Sequence, residues 1–84
     1  MNAKHRRTLE KLFAQPPSAT IRWREIESML LALGADMTEG RGSRLRFTLN
    51  ERTIFVHRPH PAPDAKPYVV RNIREFLKDA GIQP

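Results

Sequence analysis

The sequence predicts an α+β domain in which a three-stranded antiparallel sheet carries helices on one face and leaves the other open, in the order α-α-β-β-β-α. Three observations carry that expectation. Apolar and polar residues alternate on both sides of Asn50-Glu51, as in a half-buried hairpin. Apolar residues recur at helical spacing over 23–33 and again over 67–80. Each of these stripes runs into a glycine, Gly34 or Gly81, the residue that caps a helix end in the left-handed conformation.

In chain order, residues 2–14 place Leu9, Leu12 and Phe13 on one side of a short amphipathic helix, with His5, Arg6, Arg7, Glu10 and Lys11 elsewhere. Gln15-Pro16-Pro17-Ser18 ends it, because neither proline can donate a helix hydrogen bond. His5, alone among basic neighbours, reads as a solvated side chain. Thr20-Ile21-Arg22 is a short extended lead into the second helix. There Trp23, Ile26, Leu30 and Leu33 share a face with Met29 at its edge, and Arg24, Glu25, Glu27 and Ser28 lie away from it. Trp23 is expected to be the largest packing group of that face; base stacking is the alternative use of such a ring.

Residues 35–39 suffice for one short strand, and Gly40-Arg41-Gly42 forms a turn with Arg41 at its tip. The turn lacks the lysine of a phosphate-binding loop. In the hairpin that follows, a two-residue turn at Asn50-Glu51 sets Leu45 opposite Val56 and Phe47 opposite Ile54 on the core side. The outer face then pairs Arg46 with Phe55 and Arg44 with His57. A one-residue slip would bury Phe55 and His57 and expose Ile54 and Val56, which composition disfavours. Three prolines prevent 57–63 from continuing as a central strand, so this segment is a stiff extended exit. Pro67 suits the first turn of the last helix. Val69, Val70, Ile73, Phe76, Leu77 and Ala80 form its apolar face, Arg71, Arg74 and Lys78 lie outside, and Ile82 folds back.

Composition narrows the partners. Eighty-four residues support one core, and the absence of cysteine removes disulfides and thiolate chemistry. The net charge of +6 comes from 15 basic side chains, mostly arginine, against 9 acidic ones. Arginine's planar fork suits phosphate, so the excess favours RNA, DNA or an acidic protein surface. No apolar run approaches the roughly 18 residues of a membrane span, and the first residues are too polar for a signal peptide. A cytoplasmic protein without a membrane partner is expected.

Among reactive groups, His57, His60 and Asp64 make at most a loose set that matches no standard zinc spacing, so neither metal nor cofactor is expected. Ser43 and His57 come without an oxyanion turn or a strained elbow, which argues against acyl transfer. RNA cleavage asks for less: a base for the 2′-OH, a cation for the phosphorane and an acid for the leaving oxygen. His57, His60, Arg44, Arg46 and Arg58 supply those types. The plain structural alternative is that His60 fixes the Pro-rich exit and His57 is a surface residue.

Leu33-Gly34, the following GRGSRLRF, the HRPHP after the second hairpin strand and the closing DAGI at 79–82 together resemble the HicA family, the toxins of HicAB toxin-antitoxin pairs. The resemblance covers about residues 20–84, and residues 1–19 then read as an N-terminal helical extension with a Pro-rich link. It implies a double-stranded-RNA-binding-like fold, metal-independent mRNA cleavage or translation arrest, and neutralisation by a HicB-type antitoxin over the active face. The family's usual functional histidine follows Gly-Ser, and here the motif reads Gly42-Ser43-Arg44. Arginine cannot act as a general base at neutral pH. The catalytic candidates are therefore His60, which matches a histidine that relatives carry after the third strand, and His57, which the register sets across from Arg44. Arg44, Arg46, Arg58, Phe55 and Arg41 are the candidate RNA contacts. The alternative is a non-catalytic RNA- or protein-binding module of the same fold, with Phe55 as a protein anchor or a base platform. DNA reading is disfavoured, since no two helices form a helix-turn-helix pair.

Overall fold

A computed structural model describes residues 1–14, 20–59 and 63–84. It has the predicted order: α1 (Ala3–Phe13), α2 (Trp23–Ala32), β1 (Asp36–Glu39), β2 (Arg44–Leu49), β3 (Arg52–His57) and α3 (Pro67–Asp79). The strands form one antiparallel sheet in the order β1-β2-β3, consistent with a double-stranded-RNA-binding-like fold. The helices take one face of this sheet, and the core lies between the two layers.

The turn at Asn50-Glu51 has φ of 49° and 67°, the paired left-handed conformation of a type I′ hairpin, whose twist matches the flanking strands. It fixes the expected register: Leu45 pairs with Val56, Phe47 with Ile54, Arg46 with Phe55 and Arg44 with His57. Leu45, Phe47 and Val56 are buried, Ile54 is half-buried, and Arg44, Arg46, Phe55 and His57 are exposed. The pleat therefore separates a core face from an outward face along these two strands, with Arg52, exposed opposite buried Leu49 at the hairpin end, as the one departure.

Helix α2 sends Trp23, Ile26, Met29 and Leu30 into the core, and the Trp23 ring lies 6.1 Å from that of Phe47 at 58°. Met29 is fully buried, deeper than the edge position its spacing suggested. Helix α1 begins at Asn2, whose side chain accepts from the His5 backbone N–H, and packs Leu9 and Leu12 against α2 and α3. Thr8 is buried beside them, its hydroxyl donating to the Lys4 carbonyl. Helix α3 starts at Pro67 and buries Val69, Val70, Ile73, Phe76 and Leu77. Gly34 and Gly81, at φ of 99° and 81°, end α2 and α3; Ala35 N–H then reaches the Leu30 carbonyl and Ile82 N–H the Leu77 carbonyl, closing both ends as predicted. Arg74, expected outside, is a correction: its side chain is only 14% exposed, with Nη1 buried and unpartnered among the described residues. A helical-wheel reading by residue type places an arginine in solvent and does not anticipate a covered guanidinium.

The Asn50 side chain also donates from Nδ2 to the Ala80 carbonyl at 2.7 Å, tying the turn to the end of α3. Asn50→Ala should lower stability by about 1–2 kcal/mol in urea unfolding, through loss of this bond and of a side chain that tolerates positive φ. Glu51→Gly should raise it by about 1 kcal/mol, since it relieves the left-handed strain at φ 67°.

Candidate nucleic-acid interface

The outer face of the sheet is a set of cross-strand rows. One row runs Thr38, Arg46, Phe55, and Arg46 Nη2 donates to the Thr38 hydroxyl at 3.4 Å. Phe55 stands 65% exposed at its end, too much apolar surface for a core residue and suitably placed for stacking. A second row pairs Thr48 with Thr53 through their hydroxyls at 3.2 Å. The third sets Arg44 opposite His57, both exposed, next to the turn that carries Arg41. Directly opposed residues hold their Cβ atoms about 5 Å apart, so one phosphate can be met by both side chains.

Arg58 leaves this face. Its backbone N–H extends the β2–β3 pairing by donating to the Ser43 carbonyl at 2.7 Å. Its guanidinium turns to the helical side, where Nε and Nη2 donate to Glu27 Oε1 at 3.3 and 3.2 Å and Nη2 lies 3.5 Å from Glu39. The same Glu27 oxygen accepts from Trp23 Nε1 at 2.8 Å. Hydrogen bonding to Glu27 and that residue's charge, with Glu39 behind them, hold the Arg58 pKa above its ordinary value against a small opposing effect of burial. A cation with a raised folded-state pKa contributes its stability below the ordinary arginine range and loses it only at higher pH, so this contribution is constant through neutrality.

The exit segment is fastened again further on. Arg22 and Asp64 form an isolated antiparallel bridge, with Trp23 N–H donating to the Pro63 carbonyl at 3.0 Å and Ala65 N–H to the Ile21 carbonyl at 2.8 Å. His60 lies outside the described residues. Beside His57, at the end of the sheet, a cleft of about 240 Å³ opens between Ser43, Pro59, Asp64, Lys66 and Tyr68. The structure thus brings Arg44, Arg46, Phe55 and His57 onto one face, sets Arg41 at its rim, and engages Arg58 elsewhere. Among the described residues no group of three or more His, Cys, Asp or Glu side chains is placed to hold a metal ion, and no helix is long and apolar enough to cross a membrane.

Glu27 and Tyr68 were not singled out by the sequence. Glu27 was legible only as an acid one helical turn after Trp23, a spacing that lets a carboxylate reach the indole N–H. Tyr68 carried a weak signal as an aromatic residue off the apolar stripe of the last helix.

A small basic α+β domain whose antiparallel sheet carries helices on one face and displays arginines on the other is of the double-stranded-RNA-binding-like fold class. The family model for the HicA toxin of bacterial toxin-antitoxin systems matches residues 23–82, and the chain belongs to that family. No curated protein and no solved structure matches it.

Glu27→Ala should cost about 1–3 kcal/mol in thermal or denaturant unfolding, because the Trp23 N–H is left without its acceptor. Glu27→Gln keeps an acceptor and loses only the half-exposed ion pair, and should cost about 1 kcal/mol or less. Equal losses in the two variants would show that the indole bond is not the part that matters.

Proposed function

We propose that this chain is a toxin that binds mRNA on its open sheet face and cleaves it without a metal ion, acting in the cytoplasm and neutralised by a HicB-type antitoxin that covers the same face. The observation that supports the reading best is the exposed cross-strand pair of Arg44 and His57, within a face that also bears Arg46 and Phe55. Membership of a toxin family gives this face its context.

In this reading Arg44 and Arg46 hold the backbone at the scissile phosphate and neutralise the charge that develops on the phosphorane. Arg41 meets a flanking phosphate from the turn, and Phe55 stacks on a base. His57 and His60 divide the acid and base roles, one taking the 2′-OH proton and the other protonating the leaving 5′ oxygen. Arg58, engaged by Glu27 and Glu39, anchors the chain directly after β3 more than it binds phosphate. A second reading, a binding module without cleavage, is favoured by one feature: Arg44 follows Gly42-Ser43, where the resemblance implies the family's usual histidine, and arginine binds phosphate without exchanging protons.

The two are separated by induced expression with RNA integrity followed in the presence of a chelator. Under the first reading the wild type arrests growth and cuts RNA, while His57→Ala and His60→Ala each lower cleavage about 10²–10⁴-fold. Intact RNA with the wild type and both variants would discard cleavage in favour of binding alone. Arg44→Ala should weaken RNA binding at every sequence and reduce the slope of log K against log salt by about 1.

A further inference from the structure

We infer that the cleft beside His57 is a subsite for one unpaired nucleotide, whose base stacks on Tyr68 and whose phosphate is met by Lys66. The inference rests on the RNA-binding reading above and assigns it residues outside the sheet face. Tyr68 sits on the first turn of α3 yet is 51% exposed, whereas its neighbours Val69 and Val70 are buried. It contributes little to the core and offers an open ring face. The cleft it lines measures about 240 Å³, below the roughly 300 Å³ at which sites for drug-sized ligands begin, and so suited to a single planar base.

The charges of the cleft set the orientation. Two of the described lining residues are cationic: Arg58, whose guanidinium is engaged by Glu27 and Glu39, and Lys66, the N-cap residue of α3, which is exposed and has no ion-pair partner among the described residues. Asp64 is the one carboxylate among the described lining residues, and it repels phosphate while accepting from the N–H groups of a base edge. A base therefore belongs inside and its phosphate at the Lys66 rim. Ser43 and His57 line the same cleft, which joins it to the Arg44–His57 row, so a strand crossing the sheet face can run on from that row into the cleft. A base paired within a duplex cannot enter. The subsite thus selects unpaired RNA, a preference that reading a helix by shape alone would not produce.

The test is binding by fluorescence anisotropy of the full chain, with catalysis blocked by a 2′-deoxy substitution at the target nucleotide, to a short single-stranded RNA and to the same strand in a duplex. Tyr68→Ala should weaken single-strand binding about five- to 100-fold, as expected for loss of one base-stacking partner, and leave duplex binding unchanged. Tyr68→Phe should retain the wild-type affinity, and Lys66→Ala should lower single-strand affinity with a smaller salt dependence. Because Tyr68 is half-exposed, its replacement should leave the thermal unfolding midpoint in place. Wild-type binding to single strands that Tyr68→Ala does not alter would overturn the subsite while leaving the RNA-binding reading intact. Equal weakening on single strand and duplex would also overturn it, and absence of RNA binding by the wild type would remove both.

Discussion

The structure depends first on a two-residue turn. Asn50 and Glu51 both adopt positive φ, and that geometry admits one pairing of the strands they join. Because side chains alternate with period two, the same pairing decides simultaneously which residues fill the core and which face outward. Phe47 and Leu45 can pack beneath Trp23 only if Arg44, Arg46 and His57 are displayed above. Core and contact surface are two sides of one constraint, and neither can be changed by a register shift without loss of the other.

A second constraint joins the layers at the end of the sheet. Glu27 receives hydrogen bonds from Trp23 on its own helix and from Arg58 just beyond β3, and Arg58 also approaches Glu39 at the end of β1. An exposed pair of this kind adds little to global stability on its own. Its role is geometric: it draws the exit of the hairpin toward α2 and turns the Arg58 cation away from the open face, leaving Arg44 and Arg46 as its strongest positive groups.

The hairpin was legible in the sequence because two local signals agree there, a turn of suitable length and an alternation that only one register satisfies. The ends of α2 and α3 were legible for a similar reason, since Gly34 and Gly81 each follow an apolar stripe. What depended on distant partners was not. Glu27 and Arg58 are 31 positions apart, and periodicity assigned Glu27 to the solvent side of its helix. Arg74 was misplaced because its charge argues for solvent while its side chain, Nη1 included, is largely covered. At the site, the pairing of Arg44 with His57 followed from register alone, whereas the cleft at Lys66 and Tyr68 depends on where α3 starts relative to the sheet, which no local pattern encodes.

The exit from β3 is held at two feet: Arg58 N–H on Ser43 before it, and the bridge of residues 63–65 to 21–23 after it. Both attachments use backbone groups, so they do not depend on which side chains the bonded residues carry. Arg22 and Asp64, which form the bridge, can therefore change type while the backbone bonds of Trp23 and Ala65 stay in place. The charge at Asp64, on the wall of the cleft beside His57, is thus open to sequence change without cost to the fold that holds it.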